Sequence, residues 1–303
     1  MAYQNVVTPR FYIDSGLYQY TIGVWTPEDD WRSFIQLNPT ARGYKPSNDI
    51  IVPRISPIRY IAFLANDWGN YYPSFQPHTE GLIGIDDFEE IINMSGYEGA
   101  DESDGFCMGI FSDRPDATGM KGVVSDSDSK LGAISIGNYY DMPISPDLEL
   151  KMSIEMGGVK NIQTKGGGTL SNAMYTKPAD WGTTHTYSPT GVQGAWQADA
   201  VPNYRNGRRV WELSFSYLSD ESIMPVNAST SIIENTNILA GEDFFSVVWN
   251  QTLGNRLSFI FQPDNTNNNP DQFAICKFVG DKLQYNQVAH NVYNITLKIE
   301  EVW

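Results

Sequence analysis

Three stretches of this chain alternate strictly between apolar and polar residues, and a period of two permits little except a strand with one buried and one wet face. Leu148, Leu150, Met152, Ile154 and Met156 oppose Glu149, Lys151, Ser153 and Glu155. Trp211, Leu213, Phe215 and Tyr217 oppose Glu212, Ser214 and Ser216, and Tyr293, Ile295, Leu297 and Ile299 oppose Asn294, Thr296, Lys298 and Glu300. Each stretch predicts an amphipathic strand whose apolar set faces a core. One helical stretch lies between the second and the third. Phe244, Phe245, Val248, Trp249 and Leu253 recur at helical spacing; Glu242 and Asp243 precede them, where a helix dipole favours negative charge, and Gly254 stops them.

The opening third is punctuated by proline at 9, 27, 39, 46, 53, 57, 73 and 77, a density that forbids long helices and favours edge strands and extended connections. Short apolar runs survive at Phe11–Ile13 and Ile58–Leu64, the latter suited to a buried strand. Residues 86–92, with Phe88, Ile91 and Ile92, predict one or two helical turns confined by Gly84 and Gly96. Strands follow at Phe106–Phe111 and Ile134–Tyr140, with acidic, exposed segments at 101–104 and 125–129. Residues 157–205, rich in glycine, threonine, asparagine and proline, predict a long excursion that leaves the sheet after Met156 and returns at Arg209. Strands separated by loops rather than by recurring helices predict a mainly β protein: an antiparallel β-sandwich or small barrel with one packed α-helix and long loop-rich insertions. The expected division is a loop-rich region over 1–105 and a β core over 106–303, with its insertion at 157–205.

Composition narrows function. Lysine and arginine total 20 against 36 acidic residues, a net charge of −16, which disfavours a basic nucleic-acid surface. The one dense basic cluster, Arg205, Arg208 and Arg209, suits a solvated strand entry. Two cysteines, Cys107 and Cys276, exclude a disulfide framework and suit buried free thiols. The N-terminal MAYQNVVTPRF lacks a basic stretch leading into an apolar core, and no segment reaches bilayer-spanning length, so the expectation is a soluble protein made in the cytosol, with no membrane partner.

Catalytic constellations are lacking in the sequence. His78, His185 and His290 stand isolated, without ligand spacing. The run from Asp264 to Asn269 and the pair Asp126 and Asp128 offer hard oxygens, but glycine is missing from the sixth position of a calcium loop and Ile275 stands where its closing glutamate belongs. A polar turn fits better, since asparagine tolerates positive φ and caps turns, with a cation site outside that template left open. Lys165 to Thr169, KGGGT, has the wrong order for a phosphate loop and suits a flexible loop. Carboxylate pairs such as Asp86/Asp87 and Glu89/Glu90 are too plentiful to single out. No catalytic, cofactor-binding or metal-ligating residue is assigned, no cofactor is expected, and an enzyme is not expected. Trp25, Trp31, Trp68, Trp181 and Trp196 lie outside the alternating strands, where they either hold sugars and partners or staple loops to the core.

The order of GRRVWELSFSYLSDE (207–221), FFSVVWNQTLG (244–254), RLSFIFQPDNTNNNPDQFAICKF (256–278) and the final YNITLKIEEVW resembles the strand, helix, strand, strand succession of tailed-bacteriophage tail proteins, in particular distal tail and tail-terminal adaptor proteins with a tail-tube-like core. The resemblance covers about 204–303, with the strands at 131–156 completing the sheet; the first third and 157–205 depart from it. It implies a non-enzymatic virion structural protein, made in the bacterial host cytoplasm and located in the tail. That protein would assemble with itself as a ring, commonly a hexamer, and connect the tube to the tip or baseplate beside other tail proteins. An acidic lumen would repel phosphate and let genome DNA slide. A carbohydrate- or receptor-binding tail protein and a head-decoration or collar protein are the alternatives.

Overall fold

The computed structural model describes residues 5–37, 43–44, 50–53, 57–66, 74–77, 89–93, 105–112, 119–123, 130–155, 161–171, 186–188, 191–193, 208–225 and 241–302. Eleven strands form one antiparallel sheet: β1 (Arg10–Asp14), β2 (Tyr60–Leu64), β3 (Glu90–Asn93), β4 (Phe106–Ile110), β5 (Ala133–Asp141), β6 (Lys151–Glu155), β7 (Arg208–Ser219), β8 (Phe259–Gln262), β9 (Ala274–Phe278), β10 (Tyr285–Ala289) and β11 (Val292–Glu301). Their order is β6-β7-β11-β9-β8-β1-β5-β2-β4-β3, with β10 also paired to β11. The fold is mainly β, as the alternating stretches predict. A smaller sheet joins Ile50–Pro53, Gly119–Val123 and Ser74–Pro77. Within the 157–205 excursion, Asn161–Gln163 pairs with Thr169–Ser171, and Thr186–Ser188 with Gly191–Gln193.

The sheet curls on itself. Phe273, at the start of β9, and Phe106 of β4 have ring centroids 5.0 Å apart, although their strands lie five places apart in the sheet. A flat sheet would separate them by about 24 Å at ~4.8 Å per strand. The concave face thus formed buries Tyr12, Tyr60, Leu64, Phe106, Met108, Ile260 and Phe273. On the opposite face, Phe11, Trp211, Leu213, Phe215, Phe259, Phe261 and Phe278 form the largest cluster, and the helical segment lies over it through Phe244, Val247 and Val248. Full burial of each such side chain is worth about 1.5–3 kcal/mol, so this layer is the main cohesive element of the fold.

The helical segment is shorter than the predicted stretch and wider. Phe245–Trp249 is a π-helical turn, in which the Asn250 amide donates to the Phe245 carbonyl at 2.8 Å and the Gly254 amide to the Trp249 carbonyl at 2.9 Å, both five residues back. Asp243 caps it, accepting from the Ser246 amide at 2.9 Å and the Ser246 hydroxyl at 2.7 Å. Gly254 ends it at φ +71°, where a side chain would press on the Trp249 ring.

Several expectations are corrected. Residues 90–92 belong to β3 and are strand, not helix, because they complete the ladder of β4; residues 86–88 lie outside the described residues. β1, β2 and β3, all from 1–105, share the large sheet with strands beyond 106, and β1 sits between β5 and β8. A seven-residue helix, α1 (Ser15–Thr21), follows β1, capped by Asp14, whose carboxylate accepts from the Leu17 amide at 2.8 Å. No apolar period announces α1 in the sequence; the Asp14 cap is its signal. Tyr217 does not face the core. A bulge between Phe215 and Leu218 gives Tyr217 a φ of +63° and 79% exposure, and Leu218 takes the buried place.

Glycine at 137 is dictated by a close approach. A Cβ there would stand 1.9 Å from the Ile13 carbonyl oxygen and 2.7 Å from the Ser15 amide nitrogen, backbone atoms of the β1–α1 junction on the neighbouring strand. Gly137→Ala is therefore expected to destabilise at or above the upper end of the ~1–3 kcal/mol typical of overpacking, read as a lowered urea midpoint; an unchanged midpoint would mean that the junction is loosely held.

Candidate functional site

The strand that departs most from its sequence pattern is β6. It ends the sheet and, among the described residues, pairs with β7 alone. All five of its residues are exposed, Met152 by 44% and Ile154 by 59%, and Leu148 ahead of it is fully exposed. The expected core strand is thus an edge strand with an uncovered apolar face, a feature that soluble proteins ordinarily blunt. Alternation alone does not separate a face turned to its own core from one turned to another molecule. The charges at both ends of Lys151-Met152-Ser153-Ile154-Glu155 are the signal that points to an edge.

Charge organises the other face of this region. Register places Lys151 beside Glu212 on β7 and Glu212 beside Lys298 on β11, and the Lys298 ammonium lies 3.1 Å from the Glu212 carboxylate. Four residues along β7, Arg208 reaches Glu155 at 3.2 Å and Glu300 at 3.8 Å. Cross-strand rows of alternating sign result, worth a few tenths of a kcal/mol per pair at this exposure. Arg209 is not the solvated residue that its cluster suggests. It is 5% exposed and pairs with Glu301, itself 2% exposed, through two contacts of 3.1 and 2.9 Å. Arg205 lies outside the described residues.

Of the groups weighed for chemistry, those among the described residues do not converge. His290 is exposed at the turn between β10 and β11, while His78 and His185 lie outside the described residues, as do 86–87, 101–104 and 125–129. Asp264 spends its carboxylate locally, accepting from the Thr266 amide at 3.0 Å and the Thr266 hydroxyl at 2.7 Å, and Gln262 donates to the Asn267 carbonyl at 3.0 Å and Asn268 Oδ1 at 3.1 Å. These bonds make 264–269 a polar turn, tied to the sheet by Asn265, which donates to Asp141 Oδ1 at 3.2 Å, and by Asn268, which donates to Glu90. Among the described residues, no group of three or more His, Cys, Asp or Glu converges to hold a metal ion. Gly166 to Gly168 form the hairpin turn between Asn161–Gln163 and Thr169–Ser171, with Gly167 at φ +82° and the Gly168 amide donating to Thr164 Oγ1 at 3.0 Å. Cys107 and Cys276 are buried and free, and burial pushes the Cys276 thiol well above its ordinary range, the opposite of a nucleophile's requirement.

Of the tryptophans outside the alternating strands, Trp31 is 2% exposed and staples its loop to a core with Phe34, Ile50 and Val52, while Trp25 packs partly against the same cluster. Together with Glu28, Ile51 and Pro53 they line a cleft of about 260 Å³. Trp68, Trp181 and Trp196 lie outside the described residues. One carboxyl is strongly perturbed: burial pushes Asp14 up to about 7 against the pull of the Leu17 amide. Nearby, the Tyr60 and Ser135 hydroxyls lie 2.7 Å apart and Ser15 Oγ donates to Gln251 Oε1 at 3.3 Å. This is an interior polar cluster that ties β1 to β5, β5 to β2, and α1 to Gln251 just beyond the π-helical turn. No helix among the described residues is long and apolar enough to cross a membrane. Compared with known proteins, the chain matches no protein family, no curated protein and no solved structure.

Proposed function

We propose that this chain is a non-enzymatic structural protein of a tailed-bacteriophage virion, a ring-forming component at the distal or tube end of the tail that joins the tube to the tip or baseplate. The observation that carries the assembly part is the edge strand β6, whose outer edge is unpaired among the described residues and which offers exposed Met152 and Ile154 to another chain. The placement in a tail rests on the resemblance of 204–303. An antiparallel sheet covered on one face by a short helical segment is compatible with it. The acidic charge of −16 suits a lumen that must not retain DNA.

The purified full chain, weighed in solution at micromolar concentration, is expected to form a closed assembly of six copies or a multiple of six. A second reading, a glycan-binding tail protein, is favoured by the Trp25 cleft alone. A single chain that binds glycans, and loses that binding in Trp25→Ala, would replace the ring with that reading.

A further inference from the structure

We propose that β6 pairs antiparallel with β6 of a second copy of this chain, about a twofold axis at Ser153. The inference rests on β6 as an assembly edge and adds the partner and the register. In this arrangement the strand is self-complementary. Lys151 lies opposite the partner's Glu155, Met152 opposite the partner's Ile154, and Ser153 opposite the partner's Ser153. Opposite charges and apolar pairs directly across an antiparallel ladder are the stabilising combinations, and like charges there are destabilising. Register is selected as well. A slip of two residues toward the N-terminus sets Glu149 opposite the partner's Glu155.

The sheet continues on both faces through such a junction. On one face, the row Lys298, Glu212, Lys151 would meet the partner's Glu155, the partner's Arg208 and the partner's Glu300, so that charge alternates without interruption. On the other, Met152, which lies beside buried Trp211, and Ile154, beside buried Arg209, would be covered by the same residues of the second copy. An isologous contact of this kind closes on itself. It joins two chains, or two rings back to back, and leaves β3 at the far end of the sheet for a different contact around a ring.

Cysteine cross-linking of the full chain tests the register. Directly opposed residues of an antiparallel pair have Cα atoms about 4.5–5.5 Å apart, within the span of a disulfide. The two native cysteines are buried, so an introduced thiol reports alone. Under mild oxidation Ser153→Cys is expected to give a covalent dimer. Lys151→Cys is expected to give none, its two copies being about 14 Å apart, whereas the Lys151→Cys/Glu155→Cys double variant again cross-links. Glu155→Lys is expected to weaken the dimer roughly tenfold by turning two attractive pairs repulsive, and Lys151→Glu/Glu155→Lys to restore it. No dimer from Ser153→Cys, or equal yield from Lys151→Cys, overturns the pairing. If the unmodified chain still weighs as a ring in that case, the twofold pairing fails and ring assembly stands; if it weighs as a monomer, both fail.

Discussion

Glu301→Ala is expected to cost about 3–5 kcal/mol in chemical denaturation, among the largest single losses available to this fold. The reason is the burial of its partner. Arg209 lies on the core face of β7, its Nε 3.1 Å and one Nη 2.9 Å from the two carboxylate oxygens of Glu301. The same Nη2 donates to the Phe273 carbonyl at 3.0 Å, and the guanidinium sits 5.4 Å from the Trp211 ring. Glu301 also accepts from the Arg209 amide at 3.0 Å, so it holds both backbone and side chain of the neighbouring strand. Removal of the carboxylate takes both oxygens of the bidentate pair from a buried cation. Removal of both charges need not be costly: Arg209→Met/Glu301→Leu is expected to recover most of the loss, because an apolar pair of similar volume avoids the desolvation penalty. A loss below about 1 kcal/mol for Glu301→Ala would mean that the pair is solvated.

The second large effect is a pH dependence. Burial raises the Asp14 carboxyl from an ordinary value of 3.8 to about 7 in the folded chain. Between those values the folded chain keeps a proton that the unfolded chain has released, so stability falls as pH rises. The contribution is fully present below about pH 4, declines through the intervening range and is exhausted above about pH 7, a span on the order of 4 kcal/mol. Asp14→Asn retains an oxygen to cap α1 but cannot ionise. The stability difference between wild type and Asp14→Asn, followed from pH 4 to 8, is therefore expected to move steadily against wild type and then level off. A difference that does not change with pH would mean that Asp14 is hydrated.

These two residues show where sequence runs short. The period-two stretches at 211–215 and 295–299 become β7 and β11 with the expected faces inward, because a half-buried strand writes its burial directly into alternation. The same alternation at 148–156 misplaces β6, since an apolar face is written identically whether it meets a core or a second molecule. Arg209 and Glu301 lie 92 residues apart, and only the adjacent pairing of β7 and β11 brings them together. Asp14 carries a local signal, the cap, but it is buried against β5, remote in sequence, whose Ser135 and Ile136 bond to it. β1 is hidden for a related reason: three apolar residues among prolines look peripheral, and its central place emerges only from pairing with β5 and β8.

The most direct test of the proposed role is location. An affinity label carried on this chain should be imaged on particles assembled with the complete set of virion proteins. Label at the end of the tail tube, in a ring about its axis, is the expected result; label on the head surface, or particles that complete their tails without this chain, would contradict it.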